Sequence, residues 1–186
     1  LLLWDCENPN LYSAQIEAYN GNTLIDKKAL SIGFKEFTYE KGFFFLNGEK
    51  IFVKGGFWEG VYSKHQSYPD NAEEVRHEIE LAKKAGFNLL RPWRRPVPPI
   101  ILDEADKAGL LIIASPAVEC MSIWPTFNEK TPERIQNEIV GLIKRDRNHP
   151  SIIWWELFNE VTRDAMIQLI PKMVPVARKC DPTRLI

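Results

Sequence analysis

Apolar and polar positions change rhythm along the chain. From Leu11 to Ala18 the two kinds are interleaved, with Leu11, Ile16 and Ala18 among polar neighbours, as in a strand with one covered face. Asn20-Gly21 interrupts this stretch with a turn signal, and Leu24 and Ile25 follow. Leu30 to Tyr39 reads as another strand. Lys41-Gly42 and Asn47-Gly48 then punctuate a hairpin with arms Phe43–Leu46 and Ile51–Val53. Two or three strands do not make a stable sheet domain alone, so residues 1–40 are expected to be the last strands of a larger β-domain.

From Ile51 the rhythm becomes strand, helix, strand, helix. Strand Ile51–Phe57 precedes a helix from about Asn71 to Ala85, with Asp70 and Glu73 as a capping box and Gly86 at its end. Val75, Ile79 and Ala82 form the buried stripe. Strand Phe87–Pro92 follows, then a helix opened by Pro98-Pro99 and closed by Gly109. Leu110–Ala114 is an unbroken apolar run, as in a strand covered on both faces. Thr131-Pro132 starts the next helix, and Ser151–Phe158 is the fourth strand. Thr162 starts a last helix, which Pro171 and Pro175 should kink or divide. Four consecutive β/α units imply a parallel sheet and suggest the first half of a (β/α)8 TIM barrel, residues 41–186. The structural alternative is a doubly wound open sheet. No glycine-rich phosphate loop follows any strand, which counts against it.

Composition narrows the function. Lys and Arg number 24 against 25 Asp and Glu, a net charge of −1, which gives no push toward nucleic acid or an anionic membrane. No apolar run is long enough to span a bilayer. Cys6, Cys120 and Cys180 lie far apart without partners at zinc-ligand spacing, so neither a metal site nor a disulfide framework is expected. The first residue is Leu1, and Thr183–Ile186 looks like the start of a further strand. The chain is therefore expected to be an internal fragment, and it carries no information on compartment.

In such a barrel the working residues sit at the C-terminal strand ends. That rule selects Asn159 and Glu160 after the fourth strand, Arg91 ending the second, Trp58 and Glu59 after the first, and Ser115 to Trp124 after the third. Glu160 is either an exposed first-turn carboxylate or a general acid. Trp154, Trp155 and Phe158 could desolvate it and raise its pKa. Asn159 suits a sugar hydroxyl or a turn, and Arg91 could hold a neighbouring carboxylate ionised or form a plain ion pair. Trp58, Trp93 and Trp124 could stack on pyranose faces or simply pack, and Glu119 is a further candidate sugar contact. The run Arg145-Asp-Arg-Asn-His-Pro150 precedes a strand and is expected to be structural, His149 included.

The run from Arg145 through Asn148-His-Pro150 to Trp154-Trp-Glu-Leu-Phe-Asn-Glu160 resembles the signature of glycoside hydrolase family 2. That family includes β-galactosidases, β-glucuronidases and β-mannosidases. Leu3-Trp4 to Asn8-Pro-Asn-Leu-Tyr12 is similar to the end of the family's immunoglobulin-like sandwich domain, and Gly33-Phe34 to Gly55 to the beginning of its barrel. Asn88-Leu-Leu-Arg91 and Leu102 to Leu110 resemble its second strand and helix. The resemblance implies an immunoglobulin-like sandwich ending in residues 1–40 and a truncated TIM-barrel domain in 41–186. It implies retaining hydrolysis of terminal β-glycosidic bonds with Glu160 as acid/base, Asn159 on the sugar 2-hydroxyl, and Arg91 near a nucleophilic glutamate that this chain lacks. The sequence departs from the pattern at Arg94, where many members have His, and at Phe57 and Glu59 after the first strand. The expected partner is a carbohydrate substrate, with no cofactor, nucleic acid or membrane, and the full-length protein could form a homo-oligomer. The chain alone is expected to be inactive and marginally stable. A binding-only or degenerate family member is the alternative.

Overall fold

The computed structural model describes residues 1–60, 62, 64–118 and 127–186. It opens with a hairpin of β1 (Tyr12–Asn20) and β2 (Thr23–Ile32), antiparallel from Tyr12↔Ile32 to Asn20↔Thr23 with a register shift between Ala18 and Tyr19. The turn residues are Gly21-Asn22, with Gly21 at φ 59°. Ile16, Tyr19, Leu24 and Ile25 on this hairpin are exposed.

The stretch expected to run as one strand to Tyr39 breaks after Ile32. Its second part, β3 (Phe37–Glu40), pairs instead with β4 (Phe43–Leu46), which pairs with β5 (Glu49–Ile51). Lys41-Gly42 and Asn47-Gly48 make both turns of this meander at positive φ. Phe37–Glu40 therefore shares a sheet with the residues that follow it.

The parallel sheet has the order β6 (Gly55–Trp58), β7 (Leu89–Pro92), β8 (Leu111–Ala114), β9 (Ile152–Trp155). Between them run α1 (Ala72–Lys84), α2 (Pro99–Ala108) and α3 (Thr131–Asp146), and α4 (Asp164–Ile167) and α5 (Ile170–Cys180) follow. Leu185 continues the sheet: its N–H donates to the Ile153 carbonyl at 3.1 Å and its own carbonyl accepts from Trp155 at 2.9 Å. Sequential parallel strands joined through helices form the first part of a β/α barrel.

Three local expectations shift. Asn71, not Asp70, caps α1, its Oδ1 accepting from the Glu74 N–H at 2.9 Å. The last helical region divides at Gln168–Leu169, starting at Asp164 rather than Thr162; Pro171 sits in the first turn of α5 and Pro175 inside it. Each parallel strand is also shorter than its apolar run, and β9 ends at Trp155 rather than Phe158. Gly109 closes α2 at φ 70°, and a Cβ there would lie 2.6 Å from the Cys6 carbonyl oxygen.

The sheet has two apolar faces. Leu90, Ile112, Ala114, Ile152 and Trp155 pack against the helices. Leu89, Leu111 and Ile153 face the barrel interior, where Trp4, Phe37 and Leu46 plug the N-terminal end. No helix among the described residues is long and apolar enough to cross a membrane.

The N-terminal face is built as the sequence implies. His149 Nδ1 is 2.6 Å from Asp106 Oδ2, and the Ser151 N–H donates to Asp106 Oδ1 at 2.9 Å. Arg145 grips Asp146 through Nε and Nη2 at 2.6 and 2.7 Å. Asp181 accepts from Trp155 Nε1 and Arg184 Nη1, each at 2.8 Å. Lys35 stands at this end too. Burial and the Arg184 charge bring its ammonium down to about 7, against the pull of Asp181 and Asp106.

Candidate active site

Alternation along β7 decides which side chain reaches the barrel interior. Leu89 faces inward and Leu90 outward, so Arg91 points inward at the C-terminal end. Its Nε donates to Glu156 Oε2 at 3.1 Å and its Nη2 to Glu156 Oε1 at 2.7 Å. The same Nη2 donates to Asn159 Oδ1 at 2.6 Å. Ser115, one residue past β8, donates its hydroxyl to Glu156 Oε2 at 2.6 Å. One connected group therefore spans the ends of three adjacent strands.

Glu160 belongs to a second pair, accepting from Arg94 Nη2 at 2.9 Å. Both residues sit in left-handed backbone, Arg94 at φ 43° and Glu160 at φ 49°. That conformation is uncommon for non-glycine residues and concentrates at functional sites. The Glu160 side chain is 60% exposed. Of the aromatic residues expected around it, Trp155 turns to Asp181, and among the described residues Arg94 is a neighbour that Glu160 meets.

The other candidates divide. Trp58 lies at the end of β6, but its ring is 7% exposed and packs edge-on against Tyr68 at 5.8 Å, so the protein itself occupies it. Burial pushes the Tyr68 phenol up to about 12, and its oxygen accepts from the Trp93 N–H at 3.0 Å. Arg94 and Arg95 lie 5.7 and 4.8 Å from the Trp93 ring centroid, so guanidinium groups approach that ring. Arg91 lies 5.7 Å from the Phe57 ring, on the strand beside it. Glu119 and Trp124 lie outside the described residues. Among the described residues no group of His, Cys, Asp and Glu could hold a metal ion. Hollows of about 530 and 630 Å³ lie elsewhere, at the N-terminal face around Lys35 and beside α1.

Sequence reasoning missed Glu156. A fourth strand drawn to Phe158 buries it in mid-strand, whereas a strand ending at Trp155 puts it first past the end. The available signal was a lone carboxylate in the apolar run Ile152–Phe158.

Residues 37–186 match the family model described as glycosyl hydrolases family 2, TIM barrel domain, and residues 1–35 match the model of glycosyl hydrolases family 2. The chain belongs to glycosyl hydrolase family 2. A curated protein of Formosa agariphila with a provisional β-glucuronidase name is 33% identical over 98% of this chain. The β-D-glucuronidase structure of Dictyoglomus thermophilum superimposes with a TM-score of 0.88 at 26% identity over 99% of the chain. A family 2 member from Bacteroides cellulosilyticus gives 0.86 at 26% identity. The chain spans 18% of the Formosa protein and 33% of the Dictyoglomus one. In family 2 terms, β1 and β2 are the end of the sandwich domain, and the parallel sheet is the first part of the TIM barrel.

Proposed function

We propose that this chain carries the acid/base side of a retaining β-glycosidase site, with Glu160 as the proton donor. The observation that carries this reading is the tie between Arg91 Nη2 and Asn159 Oδ1 at 2.6 Å. It fixes the residue before Glu160 to the inward-facing end of β7, two strands away, where a barrel keeps its chemistry. In the reaction the bond from the anomeric carbon to the leaving oxygen breaks, and Glu160 gives that oxygen its proton. A second carboxylate bonds the anomeric carbon. Glu160 then takes a proton from the water that displaces it. That second carboxylate must lie about 5–5.5 Å from Glu160, and in this reading a part of the protein outside these 186 residues supplies it.

The remaining roles follow from position. Asn159 addresses a sugar hydroxyl and Arg91 holds the strand-end carboxylate of Glu156. Trp58 walls the site from behind, and Glu119 and Trp124 contact the sugar from the loop after β8. The β-glucuronidase names of the relatives, together with the cationic run Arg94-Arg95, favour a uronic acid as the sugar. The sandwich and the barrel divide near residue 36, because β3 pairs into the meander under the barrel.

The test is Glu160→Gln in the intact protein, assayed on nitrophenyl β-glucuronide and its neutral β-glycoside analogues. Turnover should fall by about 10²- to 10⁴-fold, the usual worth of a positioned acid/base. Unchanged turnover in the variant would remove Glu160 from the chemistry.

A further inference from the structure

The carboxylate that organises the strand-end cluster is not Glu160. It is Glu156, which receives Arg91 through two hydrogen bonds and Ser115 through a third. We propose that Glu156 is the positioning residue of this site, clamping Arg91 so that Arg91 presents the Asn159 amide to the substrate.

Three observations carry it. The first is reach. β7 and β9 are not neighbours but flank β8, so their backbones stand about 10 Å apart at the usual strand spacing. Arg91 crosses that gap beside Ser115, whose hydroxyl joins the same carboxylate, and Glu156 meets it with both oxygens. A shorter acid or base would not close the span.

The second is the orientation of the Asn159 amide. Its Oδ1 is committed to Arg91 at 2.6 Å, which leaves Nδ2 as the free end. That nitrogen is buried and has no hydrogen-bond partner among the described residues. A buried, unpaired donor is costly, so its persistence beside the acid/base points to an acceptor that arrives with the substrate. A sugar hydroxyl oxygen fits. With Glu156 absent, Arg91 would be free to leave Asn159, and no other side chain among the described residues would hold the amide that way round.

The third is the small stabilising value of the pair. Arg91 and Glu156 side chains are 25% and 23% exposed. Ion pairs with water access add little to stability, whereas a two-bond fork fixes a direction.

The inference rests on the glycosidase reading, and the experiment separates the two. Wild type, Glu156→Gln, Ser115→Ala and Glu160→Gln versions of the intact protein are assayed on aryl β-glycosides and on their monodeoxy analogues. Glu156→Gln keeps size and loses the charged clamp. Its kcat should fall about tenfold to a hundredfold with KM nearly unchanged, the scale of a slight misplacement near the chemistry. The deoxy position that hurts wild type most should hurt this variant least, because the Asn159 amide no longer faces that hydroxyl. A purely structural role would not move this preference. Ser115→Ala, which removes one hydroxyl, should show the same shift in weaker form and serves if Glu156→Gln does not fold. Wild-type kcat and an unaltered deoxy preference in either folded variant, while Glu160→Gln is inactive, would overturn the role of Glu156 alone. Loss of nothing in Glu160→Gln, or an inactive wild type, would overturn both readings.

Discussion

Replacing Asp106 removes the hub of the N-terminal face. Its carboxylate is 3% exposed, pairs with His149 at 2.6 Å, and accepts the N–H of Ser151, a fully buried residue. In Asp106→Ala the Ser151 amide loses its acceptor, worth about 1–3 kcal/mol for a buried donor. The charge-assisted bond to His149 adds about 1.5–3 kcal/mol. A total of about 3–5 kcal/mol agrees with the cost of removing one partner of a buried pair. In a domain of this size that lowers the midpoint by about 6–20 °C.

Asp106→Asn isolates the charge, because its amide oxygen can still accept from Ser151. Burial alone would push His149 down, but the hydrogen bond and charge of Asp106, with Asp103 and Asp146, raise it above 6.5. A folded-state pKa above the unfolded one gives stability that is complete below about 6.5 and fades as pH rises through the folded value. The gap between wild type and Asp106→Asn should therefore be wide at pH 6 and narrow at pH 9. Scanning calorimetry of the intact protein at both pH values reads it. A gap independent of pH, or a loss below about 2 °C in Asp106→Ala, would refute the reasoning.

Two further outcomes are expected from thermal midpoints of the intact protein. Asn71→Ala should destabilise by about 1 kcal/mol, the worth of a helix cap, while Asp70→Ala changes nothing measurable; equal effects would return the cap to Asp70. Lys35→Met should stabilise, because its ammonium is held at about 7 in the fold against 10.5 ordinarily. The folded state then binds fewer protons than the unfolded one between those values, so wild type gains stability as pH rises through the interval. The advantage of Lys35→Met should be large at pH 6 and small near pH 10, and the opposite trend would rule out a buried ammonium.

Period and punctuation made the barrel legible. Pro98-Pro99 and Gly109 bracket α2, and Thr131 begins α3, because proline and glycine act on the backbone wherever the chain goes. Strand ends were less legible. Ile152–Phe158 is apolar throughout apart from Glu156, and apolar character continues past the last ladder bond since Leu157 is also buried. Hydrophobicity reports burial, not pairing, and that hid Glu156. The Arg94–Glu160 contact was illegible for another reason: the partners are 66 residues apart, and both sit at positive φ without the glycine that usually announces it.

The same residue types do opposite work at the two ends of the sheet. At the N-terminal end the carboxylates of Asp106, Asp146 and Asp181 are at most 3% exposed. Two of them also accept backbone N–H groups. Removing one leaves buried donors orphaned, so that end is where stability resides. At the C-terminal end the Arg91–Glu156 and Arg94–Glu160 pairs have side chains 22–60% exposed. They return little stability, and the second pair sits on two strained residues. A fold that tolerates strain where ion pairs return least is holding those groups for something other than itself. Substitutions at the N-terminal end should therefore be read in melting curves, and those at Arg91, Glu156, Asn159 and Glu160 in turnover, with little crossing between the two.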